Sequence, residues 1–411
     1  MPRWWLVVLA ACLVVPWLIV ATVYFGSAAQ SDPIRPQSST GPSNTEVLGS
    51  GASGSWGHLQ ITPIVISPPI EYIPQTWGPV PEPVWHFPGT SPQTLETFLR
   101  SSGLSPEDVS SLMANARPSA SIQGQALRPP VELVRRMPGE ARARIYFQLG
   151  KHPLNEAQAG SYRFRGQSFE SWLGSDLTPA TRRLIEPLIY RQGDFMYFGD
   201  FDLVRPQIAN AVELQRVAKR LLRQATALVK IRVDATSDVG ALADYWGRGG
   251  RRTDIRPLLE SVAMADPTAD HTIDITHLLP PIVREHLYRY PKITVADFER
   301  PLLANCFWTA LNFFNAKPDD RFLDVHYALK HLKEDYYVIQ DGYQLGDIVA
   351  FSDADGNLFH VTVFLADNLV FGKNGSSYLA PWSILPMARL KGHYVENADN
   401  WQVSVHRRKD L

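Results

Sequence analysis

The part of the chain from about Phe298 to Leu411 constrains the fold most. Two helical stretches, Leu302–Asn315 and Arg321–Lys333, give way to the short runs Tyr336–Ile339, Asp347–Phe351, Phe359–Leu365 and Leu369–Phe371. These runs are rich in β-branched and aromatic residues, and turn chemistry such as Asp353-Ala354-Asp355-Gly356-Asn357 and Asp367-Asn368 separates them. Helices followed by a meander of short strands specify an α+β unit with an antiparallel sheet. Within it, Asn305-Cys306-Phe307-Trp308 opens an apolar helix and His360-Val361-Thr362-Val363-Phe364-Leu365 begins a strand. A helix start favours thiolate over thiol, and a neutral imidazole within hydrogen-bond reach can accept the proton. The other cysteine, Cys12, lies in an N-terminal apolar run, which leaves Cys306 as the candidate nucleophile.

That N-terminal run, Trp4 to Phe25, carries no charge; Arg3 precedes it and the next basic residue is Arg35. Its length suits the roughly 20 residues that cross a bilayer and exceeds the ~7–15 of a signal-peptide core. It predicts an uncleaved transmembrane helix over residues 1–27, with the N-terminus cytoplasmic and the bulk periplasmic or extracellular. Cleavage after Ser27-Ala28-Ala29, or lipidation at the Leu9-Ala10-Ala11-Cys12 box, are the alternatives. Residues 28–90 read as a Pro/Ser/Gly-rich linker followed by an extended segment in which prolines interrupt strand-like runs.

Residues 91–297 read as mainly helical. Ser91-Pro92 and Ser105-Pro106-Glu107-Asp108 are helix starts, Gly103 is placed to end the first helix, and Ala209–Ile231 reads as one long helix. Pro138, Arg142 and Tyr146 recur at the same spacing as Pro280, Arg284 and Tyr288, consistent with two helices built alike or with a duplication. Trp246-Gly247-Arg248-Gly249-Gly250-Arg251-Arg252 reads as a basic loop rather than a phosphate cradle, because no strand leads into it and no Lys-Ser or Lys-Thr follows. A formal net charge of −1 over 411 residues argues against nucleic-acid binding by phosphate neutralisation. His326, His331 and Asp324 do not share a helix face and make a poor metal set, and no cofactor is implied.

The C-terminal order resembles the NlpC/P60 cysteine peptidases of the papain-like superfamily. There a Cys begins a buried helix, a Gly-Asp opens the first core strand, and a His begins the next in a His-Val-x-Ile-Tyr-Leu pattern. Asn305-Cys306-Phe307-Trp308, Gly346-Asp347-Ile348-Val349-Ala350-Phe351 and His360 to Leu365 fill those places in order. The resemblance covers residues 298–411 and implies a papain-like domain with Cys306 as nucleophile and His360 as general base. The family's third residue, on the following strand, aligns near Gly372. Asn374 offers an acceptor oxygen by analogy with Cys-His-Asn sites. A two-residue turn at Asp367-Asn368 would instead place Lys373 on the face of His360. Phe307 also stands where the family commonly has a small Ser.

The implied activity is attack of the Cys306 thiolate on an amide carbonyl through a thioester, with a cell-wall peptide or another amide as substrate and the membrane as the anchoring partner. The rival reading is a non-catalytic, envelope-tethered interaction or scaffold protein with a degenerate papain-like domain. Acyl transfer on a lipid amide or ester would use the same dyad.

Overall fold

The computed structural model describes residues 53–74, 77–80, 82–166, 168–265, 271–292, 303–394 and 401–411, with the side chains of 391–394 left out of the description. These fall into two compact units, one spanning Ser67–Arg223 and the other combining residues up to Ile66 with Gln224–Leu411. The first strand, β1 (His58–Ile66), belongs to the second unit.

The first unit holds two three-stranded antiparallel sheets among short helices. One is ordered β2 (Trp85–Phe87), β4 (Gly124–Leu127), β3 (Ala116–Ser119); the other is β5 (Tyr162–Arg165), β7 (Phe195–Phe198), β6 (Tyr190–Gln192). The expected mainly helical middle region is therefore corrected to a mixed one. The helix starts are as anticipated: Ser91 and Ser105 accept the N–H groups of Thr94 and Asp108, each with Pro at the first helical position. Leu95, Leu99, Val109, Leu112, Ile145 and Leu149 pack around Trp85 and Tyr146. A second core gathers Phe164, Trp172, Phe198, Val217 and Leu221. The helix expected over Ala209–Ile231 ends early: residues Ala211–Leu221 are helical and β8 (Gln224–Arg232) follows. From Ala227 burial alternates, with Ala227, Val229 and Ile231 buried and Leu228 and Lys230 less so, and that two-residue period suits one buried strand face rather than a helix.

Arg142 is fully buried in the helix Gly139–Gly150. Its guanidinium donates to Pro187 O at 3.0 Å and to Val134 O, and it lies 3.5 Å from the Asp200 carboxylate, which accepts the Tyr146 hydroxyl at 2.5 Å. Burial pushes the Asp200 carboxyl up, although Arg142 and Tyr146 oppose the shift. The Pro-Arg-Tyr echo is confined to helix starts. Pro138 and Pro280 each precede a helix, but Tyr146 lies inside its helix whereas Tyr288 follows the end of Pro281–His286 at φ +63°.

In the second unit, β8 is the middle strand of a three-stranded sheet ordered β1, β8, β9 (Thr272–Asp274). β1 pairs with β8 from His58↔Arg232 to Ile66↔Gln224. The extended segment expected within 28–90 is thus in part a paired strand, from His58 onward. Leu59 and Ile61 enter the core, and Pro63 is tolerated because β1 is an edge strand. The boundary expected near residue 298 moves to Gln224 for the same reason: β8 needs β1 as its ladder partner and Thr226 as its tie to the larger sheet. The Thr226 hydroxyl donates to Ile384 O at 2.9 Å and accepts the Ile384 N–H at 3.0 Å.

The larger sheet is antiparallel and six-stranded, ordered β10 (Tyr336–Ile339), β15 (Trp401–Arg408), β11 (Ile348–Asp353), β12 (Leu358–Ala366), β13 (Leu369–Lys373), β14 (Trp382–Pro386). One face, with Ile348, Ala350, Val361, Val363 and Phe371, packs with the helix Cys306–Leu311. The other gathers Val349, Phe351, Phe364, Val370, Leu385 and Val405. Covering both faces explains why β11 reads as an almost unbroken apolar run.

Among the described residues no helix is long and apolar enough to cross a membrane. The transmembrane helix of the expected architecture has no counterpart among the described residues, and the run on which it was read, Trp4 to Phe25, lies outside them.

Replacing Arg142 with Met leaves Asp200 buried without its cation and is expected to lower stability by about 3–5 kcal/mol, read from the denaturant midpoint. A loss below about 1 kcal/mol would show that the pair is energetically idle.

Candidate active site

Cys306 is the first residue of the helix Cys306–Leu311, and the Asn305 side chain caps it by accepting the Trp308 N–H at 2.9 Å. The thiol is buried, with 7% of the residue exposed, and Phe307 and Trp308 beside it are buried as well. Burial pushes the thiol above its ordinary value. The N–H groups of Val361, Phe307 and Cys306 itself, and the Lys373 ammonium, pull the other way without overcoming it. The helix start therefore does not yield a resting thiolate.

Successive residues of a strand point to opposite faces, and Val361 faces the Cys306 helix. The His360 ring lies on the other face, 5.8 Å from the Phe351 ring. Burial pushes its pKa down to about 3, so the imidazole is neutral over the ordinary pH range. The expected Cys306–His360 pairing is not formed in this structure. Asn374 lies just past the end of β13, half-buried.

Lys373 takes the place beside the thiol, through a bulge in the β12–β13 hairpin. Phe364 pairs with Val370 and Ala366 with Leu369, so Leu365 is looped out of the register. Without that extra residue the Asp367-Asn368 turn would put Lys373 on the face of His360. With it, Val363 pairs with Phe371, and Lys373 falls on the face of Val361 and Cys306. The fully buried ammonium donates to Gly375 O and Ser377 O, both at 2.8 Å, and lies 5.7 Å from the Trp382 ring centre. Burial pushes its pKa down to about 7, with Cys306 opposing the shift.

Further polar groups around the site are tied into structure. The Trp382 indole N–H donates to the Thr309 hydroxyl at 2.9 Å, and the Trp308 indole N–H to Asp320 at 3.0 Å. The His286 ring lies 4.5 Å from Trp382, its Nδ1 2.9 Å from Ile282 O. Asp347, at the head of β11, accepts from Arg407 at 2.7 and 2.9 Å and from the Gln344 N–H at 2.7 Å, and Arg248 lies 3.4 Å away. The basic glycine-rich loop is thereby accounted for: Arg248 also donates to Leu345 O, and Arg251 to Leu278 O and Trp246 O. Among the described residues no cluster of three His, Cys, Asp or Glu side chains could hold a metal ion.

The proximity of Lys373 to Cys306 escapes sequence reasoning because a bulge leaves no compositional mark. A lysine ending the apolar run Leu369-Val370-Phe371 was the available signal. The chain matches no family model, no curated protein and no solved structure.

The Lys373 amine binds its proton up to about pH 10.5 when unfolded and releases it near 7 when folded. The unfolded state therefore holds more protons in that window, and stability rises with pH across it. Lys373→Met is expected to remove a rise on the order of 4 kcal/mol between about pH 7 and 10, measured by urea unfolding at stepped pH. Parallel curves for the two proteins would refute the buried-cation assignment.

Proposed function

We propose that this chain is a non-catalytic interaction protein whose C-terminal part is a degenerate papain-like domain of the NlpC/P60 kind. The ordered motifs Asn305-Cys306, Gly346-Asp347 and His360-Val361 support the family reading. The observation that carries the non-catalytic reading is the placement of the Cys306 sulfur and the His360 imidazole on opposite faces of one sheet. Covalent catalysis by a thiol needs a base within hydrogen-bond reach, and here burial keeps the thiol protonated while the imidazole lies across the sheet from it. Support for a binding role comes from the edge strand β10, where Tyr337 and Val338 are 46% and 54% exposed. An edge strand with apolar side chains is a surface on which another chain can pair.

The test is alkylation by iodoacetamide near neutral pH. Cys306 in the native protein is expected to react at least about 100-fold more slowly than a free cysteine, with no further change in His360→Ala. Fast labelling that depends on His360 would overturn the proposal.

One observation favours a second reading, in which Cys306 acts as nucleophile on an amide with Lys373 as its base. An amine whose pKa lies at about 7 is largely unprotonated at mildly alkaline pH and can accept a thiol proton. That reading predicts an alkylation rate that rises through pH 7 and loses the inflection in Lys373→Met.

A further inference from the structure

The first unit contains a recess of about 140 Å³ whose apolar wall includes Leu184, Leu188, Leu203 and Val204. Two arginines, Arg135 and Arg183, line it as well, and no acidic residue does. Their electrostatic states differ from those of their neighbours. Arg182 is paired with Glu170 and Glu186. Arg183, next in sequence and exposed, makes no hydrogen bond or ion pair among the described residues. Arg135 has only a 3.3 Å contact with Glu132, a side chain 75% exposed and therefore well screened. Beneath the recess, the carbonyl of Pro187, another lining residue, is occupied by Arg142, which fixes the wall from behind.

From this geometry we propose that the recess binds a small carboxylate with a compact apolar body. The body enters among the leucines and the carboxylate meets Arg183 and Arg135. Size sets the scale of the body: an engineered apolar cavity of about 150 Å³ accommodates benzene, so a six-membered ring fills this one. Charge sets the head group, since a planar guanidinium without a partner matches a carboxylate through paired N–H donors. This site is independent of the reading of Cys306, and its test neither uses nor changes that thiol.

The test is calorimetric titration of the full chain with benzoate, benzyl alcohol and phenyl phosphate at low salt. Benzoate is expected to bind with a dissociation constant on the order of 1 mM, and benzyl alcohol at least about tenfold more weakly, as the loss of a charge-assisted contact implies. Arg183→Gln, at an exposed position that leaves the fold intact, is expected to weaken benzoate about fivefold or more, and Leu203→Trp to abolish binding by filling the recess. Absence of benzoate binding, equal affinity for the alcohol, or no effect of Arg183→Gln would each overturn the proposal. Tighter binding of phenyl phosphate would overturn the carboxylate assignment. If Leu203→Trp does not fold, the Arg183→Gln comparison decides alone.

Discussion

Burial of the six-stranded sheet on both faces is the constraint on which the second unit depends. Inside it a polar side chain must find a protein partner or give up its charge. Asp347 is bracketed by Arg407 and Arg248. The Thr362 hydroxyl donates to Phe371 O at 2.7 Å. Lys373 reaches two carbonyls, yet its proton is held weakly. His360 is neutral and Cys306 protonated for the same reason. Desolvation acts on each of these groups, and the sheet itself stands between Cys306 and His360.

Much of this unit was legible in the amino acids. The strands near 336, 348, 358 and 369 and the turns at Asp353–Asn357 and Asp367-Asn368 fall within a residue or two of their expected places, because local periodicity and turn chemistry dominate there, whereas the helix expected over Leu302–Asn315 is shorter, Cys306–Leu311. The strands Trp382–Pro386 and Trp401–Arg408 were not anticipated. The pairing of β1 with β8 was hidden too, since two runs so far apart in sequence carry no local sign of each other. In the middle region the Ala211–Leu221 helix concealed the strand that follows, because Leu221 and Leu222 continue its apolar stripe up to the change of period.

The site was legible in its ingredients and not in its geometry. Cys306, His360 and Lys373 were all singled out, but which of them meet depends on parity along two strands, and parity changes with a single looped-out residue at Leu365.

The way the chain enters and leaves the first unit has a topological consequence. Ile66 and Gln224 are opposite one another at the end of the β1–β8 ladder, so the first unit occupies the place of a hairpin loop and is a domain insertion of about 150 residues. Lengthening such a connection adds little closure entropy, about 0.6 kcal/mol for each doubling. The host strand nevertheless leaves the ribosome with its mate still unmade. It must wait, unpaired, until the guest has been synthesised, which makes the insertion a timer on assembly of the surrounding sheet.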